Sequence, residues 1–260
     1  MNSLTYSIAD SLTMLRRTLT HILSNPIVTL LTTIGTPVIL LLLMYNLFGS
    51  VIQSNGATSG SYINYLTPGL LLITGIYSVG WAALRINTDM TQGIIARFRS
   101  MSISRGAVLN GHVIGSSVGT LISMTVIFVL AYLMGFRSAA NPVELLAALG
   151  LIILYVLAIM WLAIAVGVWG KSPDVVNSVL YIVYILPFFS SAFVPTTSMT
   201  PIVAWIATNQ PFTPIIDTLR ALLTGAPLDE RAVVALAWCL GIGLVGFIGS
   251  RLAYNRSARL

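Results

Sequence analysis

The sequence predicts an all-α integral membrane protein with six transmembrane helices, and three observations predict it. Hydrophobic residues make up 57% of the 260 positions, whereas charged residues make up only 8%, against roughly 25% in an ordinary soluble domain. The mean hydropathy is +0.92. Long apolar runs recur along the whole chain rather than gathering in one core, and each reaches the length of about 20 residues that a bilayer demands. Such a chain cannot cover itself with polar surface, so lipid is its solvent. Helices are the expected form, since each run is long enough to close its own backbone hydrogen bonds, while barrel strands would alternate over about 10 residues.

The runs place spans at about 27–49, 66–84, 107–135, 144–169, 175–195 and 232–250, with charges at or beyond their ends. Basic residues then divide unequally between the two sides. Arg16, Arg17, Arg85, Arg97, Arg99, Arg105, Lys171, Arg251, Arg256 and Arg259 fall on one, and Arg137, Arg220 and Arg231 on the other. The richer side is cytoplasmic by the positive-inside rule, which puts both termini and the segments 85–106 and 170–174 inside. The first apolar run is too long for the core of a signal peptide and lacks a small-residue cleavage site behind it, so it is expected to remain as the first span.

Three further elements join these spans. Leu4, Ile8, Leu12, Leu15, Leu19 and Ile22 repeat with the 3.6-residue period. An amphipathic helix over 3–22 should therefore lie on the inner membrane surface or pack on the protein's own cytoplasmic side. Between spans two and three, a short helix is expected to start near Thr88 or Asp89. Asp89 and Gln92 have capping-box spacing, and Met90, Ile94, Phe98 and Met101 share a face that something must cover, either a cytoplasmic partner or lipid. Outside, 201–225 should hold two short helices that cover the outer mouth. One follows Pro201; the other starts at Thr213-Pro214, with Thr213 as its cap, and ends at Gly225.

The inventory excludes several functions. A net charge of +6 spread over short gaps cannot track phosphates, so nucleic acid is not an expected partner. Cys239 is the single cysteine, and with His21 and His112 it gives no zinc set. Gly170-Lys171-Ser172 ends like a phosphate-binding loop, but Ala165 stands where its first glycine belongs and Pro173 interrupts the helix such a loop requires. It reads as a cytoplasmic turn, and this chain is not expected to bind ATP. His112 alone makes no acid–base site and is expected to hydrogen-bond a neighbouring helix or reach the headgroups.

Small residues mark helix contacts at Gly111, Gly115 and Gly119, and again at Cys239, Gly243, Gly246 and Ser250. Polar and aromatic residues inside the spans mark a candidate pathway. Span one offers Thr29, Thr33 and Thr36, with Pro37 freeing a carbonyl near Thr33. Thr74, Tyr77 and Trp81 follow on span two, and Asn177, Tyr181, Tyr184, Phe188 and Phe189 on span five. Together they describe a mildly polar, aromatic surface suited to an amphipathic or apolar solute.

Three stretches carry a family resemblance over nearly the whole chain. They are Tyr65-Leu-Thr-Pro-Gly69, the run from Asp89 through Arg97-Phe-Arg-Ser-Met to Arg105, and the outer segment from Phe193-Val-Pro195 through Asn209-Gln-Pro-Phe-Thr-Pro214 to Gly225. In these the chain resembles the membrane subunits of ABC-2 type transporters, near the bacterial drug-resistance permeases of the daunorubicin-exporter kind. Met101-Ser102 departs from the Leu-Pro of many relatives. The resemblance implies a half-transporter in the bacterial cytoplasmic membrane. It would dimerise with a second copy of itself or a paralogous permease, and recruit two copies of an ABC ATPase subunit that binds ATP and Mg. It implies that 3–22 is the family's connecting helix and 201–225 its outer re-entrant pair. It also makes 88–104 the coupling helix, with Asp89, Gly93, Ile94, Arg97, Phe98, Arg99 and Arg105 as the ATPase-coupling residues. The substrate is then a drug, antibiotic or lipid-like solute; export of a glycan or lipid-linked precursor, and a stand-alone ion-coupled carrier, are the alternatives.

Overall fold

Backbone amides in hydrocarbon have no water to bond, so an apolar chain must close its hydrogen bonds within each segment. The computed structural model describes residues 26–54, 61–91 and 105–256, with side chains for 34–49, 61–91 and 108–256. Every regular element among the described residues is helical. In chain order these are α1 (Pro26–Ser54), α2 (Tyr62–Thr91), α3 (Arg105–Leu133), α4 (Pro142–Trp169), α5 (Pro173–Ile185), α6 (Pro201–Asn209), α7 (Phe212–Thr224) and α8 (Arg231–Arg256), with 3-10 turns at Leu186–Phe189 and Thr196–Ser198. The expected 3–22 helix and residues 92–104 of the expected coupling helix lie outside the described residues.

Among the described residues, four helices, α2, α3 (from Val108), α4 and α8, are long and apolar enough to cross a membrane, and shorter apolar stretches lie at Ile34–Gly49 and Pro173–Phe189. The hub is α2. Within its most apolar window 78% is buried, against 17% for α8, and it packs on α1, α3, α4, α5 and α7. Its neighbour α4 carries α8 on its other side, through the stripe Ala235, Cys239, Gly246 and Ser250, all buried. A Cβ on Gly246 would sit 2.5 Å from the Leu162 amide nitrogen and 2.6 Å from the Trp161 carbonyl carbon. The small-residue stripe is therefore a contact within the subunit, locked at its edge by Phe247 against Trp161, ring centroids 4.8 Å apart and interplanar 80°.

Several boundaries differ from the expected ones, each for a local reason. Helix α2 runs to Thr91, so no separate helix starts at Thr88 or Asp89. Thr88 Oγ1 donates to Leu84 O at 2.9 Å and Thr91 Oγ1 to Asn87 O at 3.0 Å, which lets polar residues extend the helix beyond the apolar run. The fifth apolar stretch stops at Phe189, not 195. Beyond Pro187, Ser190 Oγ donates back to Pro187 O and accepts from Ala192 N, and this closes a turn. Helix α7 begins at Phe212 with Pro211 in the cap position. Thr213 is thus inside the first turn, and its hydroxyl accepts from Ser191 N at 3.2 Å instead of capping its own helix. Gly225 does end α7, in the left-handed conformation at φ 69°.

Helix α4 is set by a capping box. Glu144 N donates to Asn141 Oδ1 at 2.9 Å, and Asn141 N donates to Glu144 Oε2 at 2.8 Å. The segment leading into it is tied down at the same end of the bundle, with Arg137 N donating to Asn64 Oδ1 at 3.0 Å and Ser138 Oγ to Leu223 O at 2.6 Å. That end gathers Arg137, Arg220 and Arg231, and the long helices carry Arg85, Lys171, Arg251 and Arg256 to the other. Helix direction alone produces this partition.

Gly246→Ala is expected to destabilise the bundle by about 1–3 kcal/mol through overpacking. Gly241 on the same helix has nothing within 4 Å of its Cβ position, so Gly241→Ala should leave stability unchanged or raise it slightly. Thermal unfolding of the two variants in detergent checks the contrast.

Candidate functional site

Aromatic residues of α2 and α5 meet in a ladder. Tyr77 and Trp81 lie one turn apart on α2, and Tyr181 and Tyr184 fall at helical spacing on α5, with Phe188 in the 3-10 turn that follows. The helices run antiparallel, so both stripes climb together. Tyr77 stacks on Tyr184 with centroids 5.3 Å apart and planes at 16°. Gly80 makes the approach possible: a side chain there would collide with the Tyr184 hydroxyl. On one side of this pair stand Trp81, 46% exposed, and Tyr181, 66% exposed; on the other, Phe188 stacks on Phe193 at 5.6 Å. Phe189 is 40% exposed and Asn177 is half-buried. A surface of aromatic faces with scattered hydroxyls offers stacking and hydrogen bonds without a fixed charge.

The end bearing Lys171 is tied by polar groups. Asn87, fully buried, donates through Nδ2 to Gly167 O at 2.9 Å and Gly170 O at 2.6 Å. These are carbonyls at the close of α4, where helix ends leave acceptors unmet. Two residues on, Asp89 Oδ2 lies 3.2 Å from His112 Nε2 of α3, both side chains below one-tenth exposed. Gly170 N donates to Val166 O at 2.9 Å, and Ser172 Oγ accepts from Val175 N at 3.4 Å. The resemblance to a phosphate loop therefore dissolves into the C-cap of α4 and the N-cap of α5.

The opposite end holds a denser network. Asp217 accepts from Arg220 Nη1 at 2.6 Å, Ser191 Oγ at 2.7 Å and Arg231 Nη1 at 2.7 Å. Arg220 also donates to Tyr65 O at 3.2 Å and Ser191 O at 2.8 Å, and its guanidinium lies 3.8 Å above the Tyr65 ring. Tyr62 and Tyr65 hydroxyls donate to Phe193 O at 3.1 Å and Ser191 O at 2.9 Å. One carboxylate and one guanidinium thus join α2, α7, the start of α8 and the turn that closes the fifth apolar stretch.

Among the pathway residues expected from sequence, Tyr77, Trp81, Asn177, Tyr181, Tyr184, Phe188 and Phe189 fall on α2, α5 and the turn that follows it. Thr74 does not join them. It is fully buried, and its hydroxyl is spent on Leu70 O at 2.7 Å in its own helix. Thr36 is exposed on α1, whereas the side chains of Thr29 and Thr33 lie outside the described ones. Of the coupling residues, Asp89 belongs to α2 and Arg105 opens α3, while Gly93, Ile94, Arg97, Phe98 and Arg99 lie outside the described residues. Sequence reasoning missed the Asn87 contacts and the Asp217 network. An Asp-x-x-Arg spacing at 217 and 220 and an Asn-Pro-x-Glu box at 141–144 were the visible signals.

The ABC-2 type transporter family model matches residues 10–224. The chain is 26% identical over 226 residues to the daunorubicin resistance ABC transporter permease protein DrrB1 of Streptomyces coeruleorubidus, covering 85% of this chain and 78% of the relative. It is 22% identical over 251 residues to the probable doxorubicin resistance ABC transporter permease protein DrrC of Mycobacterium tuberculosis, covering 96% of this chain and 90% of the relative.

Asp217→Asn should destabilise the protein by about 3 kcal/mol, because Arg220 is left poorly exposed and short of its counter-charge. Arg231 is half exposed, 52% at the side chain, and Arg231→Gln should cost less than about 1 kcal/mol. Denaturation midpoints of the two purified variants, compared with the parent, test this order.

Proposed function

Because the chain belongs to the ABC-2 type transporter family, a family of multi-pass membrane transport components, we propose that it is the permease half of an ATP-driven exporter for an amphipathic or hydrophobic solute such as an anthracycline. Two copies, or one copy and a paralogous permease, enclose the pathway on their common axis. Hydrolysis of ATP with Mg takes place on two separate ATPase subunits. Six crossings with both termini cytoplasmic follow from the excess of basic residues at one end. Segment 88–104 docks on the ATPase through Phe98, Arg97 and their neighbours, and 201–225 forms a re-entrant pair at the outer mouth. The observation that carries this reading is the aromatic ladder, in which the partly buried Tyr77–Tyr184 stack is flanked by the exposed Trp81, Tyr181 and Phe188. The exposed rings stand at the surface of an isolated subunit, where a second subunit and a solute can share them.

ATP binding would close the ATPase dimer, displace the 88–104 segment and turn the α1, α2 and α5 faces from inward to outward access. Aromatic faces favour planar, apolar cargo, and the lack of a fixed charge on the ladder lets such cargo leave again.

The buried Asp89–His112 pair favours one second reading, a proton-coupled carrier working without a partner. Uptake into liposomes driven by a pH gradient in the absence of ATP would establish it.

The permease and its cognate ATPase are expected to co-purify, and Arg97→Glu with Phe98→Ala should abolish the complex. Recovery of transport from the permease alone would refute the exporter reading. In the reconstituted complex, Tyr184→Ala should raise the daunorubicin concentration that half-stimulates ATP hydrolysis roughly 2–10-fold, the worth of one aromatic pair.

A further inference from the structure

The segment assigned to the ATPase departs from the end of α2, yet much of the aromatic ladder stands on α5. Something must carry a displacement from one to the other. At mid-helix, α2 and α5 meet through the Tyr77–Tyr184 stack, which resists separation but fixes no register, since stacked rings slide at little cost. Near the Lys171 end the link is directional. Asn87 spends both amide protons on Gly167 O and Gly170 O, and hydrogen bonds to two carbonyls of different direction hold a position as well as a distance. Gly170 then sits so close to Val176 in the first turn of α5 that any side chain on it would collide with that valine, and Ser172 caps the same turn.

We propose that Asn87 is a positioning residue that clasps the α4–α5 turn to the end of α2, so that α5 follows α2 as one body when the coupling segment moves. The inference rests on the exporter reading. Asn87 is 0% exposed, and its Oδ1 has no hydrogen-bond partner. An apolar residue of similar volume would fill the site without burying an unmet acceptor, so packing alone does not account for an amide; its two donors do. Asp89 and His112 supply the companion strut on the other side, from the end of α2 to α3. The excursion from Thr91 to Arg105 is thereby braced at both of its roots.

The test uses the permease–ATPase complex in nanodiscs, with spin labels on Thr91→Cys and Lys171→Cys. Both positions are exposed, and the native Cys239 is 1% exposed and out of reach. With Asn87 present, the interlabel distance should be the same in the nucleotide-free and ATP-trapped states; with Asn87→Leu it should differ between them. In proteoliposomes, Asn87→Leu should lower daunorubicin transported per ATP hydrolysed on the order of tenfold, within the range of coupling between linked sites. A distance that already changes with nucleotide in the Asn87 protein overturns the clasp, and that measurement stands even if the leucine variant fails to fold. Unaltered transport per ATP in Asn87→Leu overturns it as well. Failure of the parent permease to bind an ATPase defeats the exporter reading, and is seen before any change is made at Asn87.

Discussion

The structure depends on one constraint: α2 lies at the centre of the bundle, where its polar groups must be satisfied without water. Along its middle the solution is inward. Thr67, Thr74 and Ser78 each donate to the carbonyl four residues back, at 2.7 to 3.0 Å, which leaves the flanks of the helix apolar or aromatic. Its polar contacts to other elements lie mostly at the ends, with one at the middle, where Tyr155 Oη of α4 donates to Leu72 O at 2.8 Å. Tyr62 and Tyr65 reach the 191–193 turn, while Asn87 and Asp89 reach α4 and α3.

This division has a mechanical sense for a membrane transporter. Directional bonds fix the ends of the hub to particular neighbours and its middle to α4 through Tyr155, whereas toward α5 the middle is held by ring stacking and is left able to shear. The ladder of Tyr77 and Tyr184 occupies that middle. Arg220 and Asp217 brace one end with charge-assisted bonds, and amide-to-carbonyl contacts beside the Asp89–His112 pair brace the other.

Much of this was legible in the sequence because lipid imposes simple rules. Apolar runs gave the long helices, the stripe from Cys239 to Ser250 gave a helix contact though not its partner α4, and Gly225 gave the end of α7. What escaped notice involved competition between neighbours. Thr88 and Asp89 have the composition of a helix start, but Thr88 and Thr91 bond to preceding carbonyls and the helix continues. Thr213-Pro214 looks like a cap followed by a first turn, yet Pro211 takes the cap position and frees Thr213 to receive the Ser191 amide. Thr74 has the right spacing for a pathway and the wrong direction. The Asn87 clasp joins residues 80 and 83 positions apart, and no local pattern announces a contact of that separation.

From Pro173 to Phe189, 13 α-helical residues and a four-residue 3-10 turn give a rod of roughly 27 Å at about 1.5 and 2.0 Å per residue. Helix α4, with 28 residues, measures about 42 Å by the same rise. Against a hydrocarbon thickness of about 30 Å, the longer rod has length to spare for tilting, whereas the shorter has none. The aromatic side chains of α5 thus ride on a rod too short to slant across a layer that α4 can cross at an angle.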